Sequence, residues 1–129
     1  MSSQRQAVFP QGGPKPGVLY SPAIVSGDFV FVAGQVGIDP ATGQTAIDLE
    51  GQVRQTLNNV GAVLQAAGCN FSDVVKTTAF LTKPEFFAPF NTLYQEFFPE
   101  PFPARSTIIC QLARADLLVE VEVIARRPG

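Results

Sequence analysis

The chain has 129 residues, of which 9 are Lys or Arg and 11 are Asp or Glu, giving a net charge of −2; this is single-domain length. At 46% hydrophobic and only 16% charged it has a globular composition with sparse charge, as expected where copies of a chain cover part of one another. The sequence holds no basic footprint for nucleic acid, no apolar run near a bilayer span and no histidine, the commonest acid/base side chain.

Residues 1–16 read as a flexible lead-in, with Phe9 attached to the body. They lack the apolar stretch of a secretory signal, so a cytoplasmic protein is expected. Residues 18–25 and 29–35 are strand-like on either side of Ser26-Gly27-Asp28, a good hairpin turn. Phe29-Val30-Phe31-Val32-Ala33 is apolar on both faces, which suits a covered central strand. Asp39-Pro40-Ala41-Thr42-Gly43 is a second turn.

From Asp48 the apolar period lengthens. Leu49, Val53, Leu57, Val60 and Leu64 follow a three-to-four spacing, with Asp48 as N-cap and Gly68 as stop. Residues 74–81 form another strand. Phe86, Phe90, Leu93 and Phe97 predict a second helix at about 89–98 after a preliminary turn, since Pro84 and Pro89 fit only near a helix start. Pro99, Pro101 and Pro103 impose an extended linker, and strands at 105–112 and 117–126 close the chain. The order β-β-α-β-α-β-β predicts one α+β domain over 1–129. Its mixed sheet carries two helices on one face and hairpins at both ends. Cys69, in a loop, and Cys110, in a strand, read as reduced thiols; two cysteines without histidine make no conventional zinc site.

Arg105, in Phe102-Pro103-Ala104-Arg105-Ser106, opens a strand, and Glu120 and Glu122 alternate with Val119, Val121 and Val123 on the next. If 113–116 is a hairpin loop, Arg105, Thr107 and Ile109 share a face with Leu118, Glu120 and Glu122. The valines and Cys110 then point under the helices. In that register Arg105 lies opposite residue 124, roughly 13 Å along the strand from Glu120. A small carboxylate ligand and its water could fill such a gap; the competing reading is a structural ion pair or a solvent-facing arginine. Gly34-Gln35-Val36-Gly37 lacks phosphate-loop spacing, and Ser21, Ser106 and Thr107 have no histidine to activate them. Tyr20 and Tyr94 could orient a ligand or simply pack; Asn91 could be an exposed helical residue.

Taken together, Tyr20-Ser21-Pro22-Ala23, Gly34-Gln35, Asp39-Pro40, Asn58-Asn59, Asp73-Val74-Val75-Lys76, Asn91 with Tyr94, Pro103-Ala104-Arg105-Ser106 and Val119-Glu120-Val121-Glu122 resemble the Rid family. These are the YjgF-like proteins often labelled endoribonuclease L-PSP, and the match runs from about Val18 to Arg126. The resemblance implies a chorismate-mutase-like fold, a homotrimer and cofactor-free, metal-free hydrolysis of enamines and imines such as 2-aminoacrylate and 2-iminopropanoate to 2-oxo acids and ammonia. It implies that Arg105 binds the substrate carboxylate, that Glu120 positions or activates water, and that Tyr20 and Asn91 line the pocket. Ala33 and Thr107 stand where serine or threonine and cysteine are frequent, which bears on pocket size and polarity.

Physical chemistry agrees with that reading. An imine carbon is already electrophilic, so hydrolysis needs orientation and a water more than a strong nucleophile, and a guanidinium fork matches a carboxylate. Three alternatives are a non-catalytic metabolite binder or chaperone-like protein, a ribonuclease and a pathway-specific enamine deaminase. The predicted uncovered face, with Leu118, Ile124 and Ile109 beside Arg105, is more apolar than a soluble monomer tolerates. A ring of three chains would bury it, with Arg105 and Glu120 from one chain and Tyr20, with or without Asn91, from its neighbours.

Overall fold

The computed structural model describes residues 4–11 and 18–129. Its strands are β1 (Gln6–Val8), β2 (Ala23–Ser26), β3 (Phe29–Val36), β4 (Val74–Leu81), β5 (Ala104–Ile109) and β6 (Val119–Arg126). The helices are α1 (Leu49–Ala66) and α2 (Phe87–Tyr94). Residues 1–3 and 12–16 of the expected lead-in, and residue 17 after it, lie outside the described residues. Part of the remainder is ordered: β1 adds to the sheet edge, with Gln6 paired to Val25 and Val8 to Ala23. Three residues are too few for alternation to show in the sequence.

α1 forms where the period predicts it, burying Val53, Leu57, Val60 and Leu64. It ends as the glycine rule requires. Gly68 takes φ +80°, and the Cys69 N–H turns back to the Leu64 carbonyl at 2.9 Å. Asp48 occupies the N-cap with extended backbone, though its carboxylate makes no cap bond. α2 runs earlier than expected, after a 3-10 turn at Pro84–Phe86. Pro89 is tolerated at its third position, where the missing N–H would have had no partner in any case.

The six strands lie in the order β1-β2-β3-β6-β4-β5, antiparallel throughout except for β4 and β5. The β2–β3 hairpin forms as predicted, with Gly27 at φ +59° in the turn. The closing hairpin does not. β5 and β6 flank β4 on opposite sides, so they never pair. Two crossovers explain this: α2 carries the chain from β4 to a parallel β5, and α1 carries it from β3 to β4. That leaves a gap between β3 and β4 which β6 fills, antiparallel to both.

One face of the sheet is covered. Val30, Val32, Ala79, Leu81, Val119, Val121 and Val123 are buried with the apolar stripe of α1 and with Phe90 and Leu93 of α2. Truncating a fully buried member such as Leu57 to alanine would cost about 2–5 kcal/mol. The other face is open. Phe31 is 46% exposed and Ile108 42%, with Phe80 and Ile124 half-buried beside them in register. Ile109, expected in this patch, pairs with Leu81 on the helix side instead. Cys110 lies just past β5, partly exposed. No described helix is long and apolar enough to cross a membrane.

Candidate functional site

The parallel register pairs Arg105 with Thr77, and the antiparallel register pairs Thr77 with Val123. Arg105 therefore projects to the helix side of the sheet. Glu120 pairs with Phe80 and Val36 and belongs to the open face. The expectation that these two side chains share a face is overturned. It rested on a β5–β6 hairpin, and inserting β4 between those strands reverses the parity. The two are also offset by three residues along β6, about 10 Å.

Around Arg105 the helix side builds a cationic anchor. Nη2 donates to Asn91 Oδ1 at 2.7 Å. The guanidinium carbon stands 4.7 Å from the Tyr94 ring centre, 5.5 Å from Phe90 and 5.8 Å from Phe87. Among the described residues no carboxylate lies within ion-pair distance of it. A cavity of about 290 Å³ opens beside it, lined by Asn91, Tyr94, Gln95, Phe102, Pro103 and Arg105. Thr107, half-buried, shares this face two residues further along β5. A half-buried arginine with no carboxylate partner among the described residues, its guanidinium over aromatic rings, can accept an anion with a flat two-oxygen edge.

Asn91, expected as a pocket residue from one or other chain, thus belongs with Arg105 in the same chain. Sequence reasoning left Tyr94 between ligand contact and packing. Its position three residues after Asn91, on the same helical face, was the available signal.

On the open face, β3 bulges between Val32 and Gln35. The Ala33 N–H donates to the Pro22 carbonyl at 2.9 Å, and Gln35 Nε2 donates to the Ala33 carbonyl at 3.0 Å, so the bulge is held from both sides. The Glu120 side chain lies directly over Gly34. A Cβ added there would stand 2.8 Å from the Glu120 carboxyl carbon and collide with Oε2, so only glycine permits this approach. Burial, and then the neighbouring Glu122 carboxylate, hold the Glu120 carboxyl above the usual range. Tyr20 is 61% exposed and lines a separate cavity of about 190 Å³ with Pro22, Gly34, Gln35 and Asn59 on the α1 side of the bulge. Gly34 thus borders both this cavity and the Glu120 side chain, with Ala33 next to it in the bulge, while Thr107 and Asn91 lie with Arg105. Among the described residues no group of three or more Cys, Asp or Glu could hold a metal ion.

Comparison with known proteins places these residues in context. A model of the family described as Endoribonuclease L-PSP matches residues 11–127. A RutC family protein of Pyrococcus horikoshii is 42% identical over 94% of this chain and 97% of its own. The 2-iminobutanoate/2-iminopropanoate deaminase of Salmonella typhimurium is 40% identical over 84% of this chain and 87% of its own. The crystal structure of E. coli TdcF with bound serine superposes with a TM-score of 0.86 at 34% identity, covering 95% of this chain and 99% of that one. The fold is therefore the chorismate-mutase-like α+β architecture that the sequence resemblance implies.

Proposed function

Since the chain belongs to the endoribonuclease L-PSP family, that of the RutC and Rid proteins, we propose that it hydrolyses 2-imino acids and their enamine tautomers to 2-oxo acids and ammonia. The observation that carries this reading is the half-buried Arg105, held by Asn91 and an aromatic floor and lacking a carboxylate partner among the described residues. The deaminase name of the Salmonella relative and the serine in the TdcF structure, itself a small carboxylate, support the same class of ligand.

In this mechanism Arg105 grips the substrate carboxylate with two parallel N–H donors and presents the imine carbon to a water. Ionised Glu120 orients that water and takes a proton from it as oxygen bonds to carbon. Glu120 returns that proton to nitrogen, giving the carbinolamine; it then carries the new hydroxyl's proton to nitrogen, so that C=O forms as the C–N bond breaks and ammonia departs from the 2-oxo acid. No electrons are exchanged, and the step asks for neither metal nor organic cofactor. A carboxyl raised above its ordinary range is a stronger base toward that water than an unperturbed one.

Because one chain holds Arg105 and Glu120 on opposite faces, a working site needs Arg105 and Asn91 of one chain and Glu120 of a neighbour, with Ala33 and the Tyr20-lined cavity adjoining it at Gly34. This replaces the expectation of both charged residues coming from one chain. A homotrimer closed over the open sheet faces supplies such seams. Thr107 and Ala33 border the two halves and set the room for the substrate side chain. The test is to generate 2-iminopropanoate in situ with an amino-acid oxidase and follow its loss. Faster decay than in buffer supports the reading. Binding of pyruvate with no acceleration would instead indicate a non-catalytic metabolite binder.

A further inference from the structure

We propose that Tyr94, tethered by Thr77, is the positioning residue that holds the Arg105 guanidinium in its carboxylate-gripping orientation; this rests on the functional reading above. Among the described residues β5 is the edge strand of the sheet, with β4 on one side and no strand on the other. A long side chain on such a strand loses its aim unless something other than the sheet holds it.

Tyr94 provides that hold from below. Of the three rings under the guanidinium it is the nearest, and a ring face attracts a cation over it. The ring itself has little freedom. It is 5% exposed, stacks on Phe98 at 4.2 Å with 20° between planes, and leans on Phe90 at 5.6 Å.

The phenol end is fixed as well. Tyr94 Oη and Thr77 Oγ1 are 2.7 Å apart, and Thr77 is fully buried. Thr77 is also the β4 residue paired with Arg105, so the brace closes on itself: strand register joins Thr77 to Arg105, a hydrogen bond joins Thr77 to Tyr94, and the ring face joins Tyr94 back to Arg105. Burial raises the phenol's pKa and keeps it protonated, and either hydroxyl can donate this bond. With Asn91 drawing on Nη2 from the same helix, α2 fixes both the plane and one edge of the guanidinium and leaves its other edge to the ligand.

The test compares Tyr94→Leu and Tyr94→Phe with the unaltered protein, measuring pyruvate affinity by calorimetry and imine turnover by the oxidase-coupled assay. Tyr94→Leu removes the ring face. We expect KM and the pyruvate Kd to rise about tenfold or more with kcat within about threefold, the pattern of a lost binding orientation. Tyr94→Phe keeps the ring and loses only the tether, so KM and the pyruvate Kd should rise about threefold, less than in Tyr94→Leu, with kcat little changed.

A residue that only packs would lower the melting temperature on Tyr94→Leu and leave Kd and KM of the folded fraction unchanged, which overturns the proposal. Should that variant not fold, the pair Thr77→Val with Tyr94→Phe carries the same test, because removing both hydroxyls together leaves no orphaned group. A Kd raised about threefold supports the tether, and an unchanged Kd overturns it. If the unaltered protein neither binds pyruvate nor consumes the imine, the functional reading itself falls and takes the brace with it. Undiminished binding in Tyr94→Leu removes the brace alone.

Discussion

Arg105 and Glu120 project from opposite faces of one sheet: Arg105 is level with Thr77 and Val123 on the helix side, and Glu120 sits over Gly34 on the open side. A site that uses both must draw them from two chains. Arg105→Ala and Glu120→Ala should therefore each be inactive alone yet complement one another. Random reassembly of an equal mixture makes about a quarter of the seams intact, so about a quarter of the original activity should return. A mixture as inactive as its components would show that the two residues act within one chain.

Arg105→Lys tests the geometry of the anchor. A lysine keeps the charge and loses the planar fork, so kcat/KM should fall about a hundredfold, nearly as far as in Arg105→Ala, because two charge-assisted bonds are worth roughly 3 kcal/mol together. Recovery of most activity by lysine would mean that charge alone suffices.

Gly34→Ala tests the seat of Glu120. The added methyl displaces the carboxylate, the far end of a flexible side chain, so stability should change little. Turnover should drop while pyruvate affinity, which belongs to the Arg105 half, changes little. Steady-state kinetics beside calorimetry separate the two effects, and unchanged turnover would remove Glu120 from the mechanism.

Activity should fall in acid as Glu120 gains a proton and can no longer accept one from water. Burial and Glu122 both raise its pKa, so this limb lies at higher pH than for an ordinary carboxylate. Glu122→Gln removes one of the two causes and should move the limb to lower pH, as read from kcat/KM against pH. Movement to higher pH would contradict the assignment.

The open face should be an interface. Light scattering is expected to give three chains of 13.8 kDa, and Phe31→Glu, which plants a charge in the exposed patch, should yield monomers without deaminase activity. A stable, fully active monomer would defeat both the ring and the shared site.

The local elements were legible in the sequence because their signals span only a few residues. Leu49, Val53, Leu57, Val60 and Leu64 mark α1, and Gly27 and Gly43 mark turns in which both take positive φ. The alternation of Val119, Val121 and Val123 with Glu120 and Glu122 marks a strand with one buried face. The Arg105 and Glu120 motifs likewise stood out as chemistry-bearing residues. β1 was missed for want of length, and the ends of β5 and α2 shifted by a few residues.

Which strands are neighbours was beyond the reach of those signals. The nine residues from Cys110 to Leu118 read equally well as a hairpin loop or as a crossing past the end of β4. The choice was made by long-range packing: α1 spans β3 and β4 at a distance that leaves one strand's width between them, and the valine face of β6 fills it under the helices. That placement decides the faces on which Arg105 and Glu120 emerge. Periodicity along a strand determines which residues lie together on one side of it; only its neighbours in the folded sheet determine which side that is.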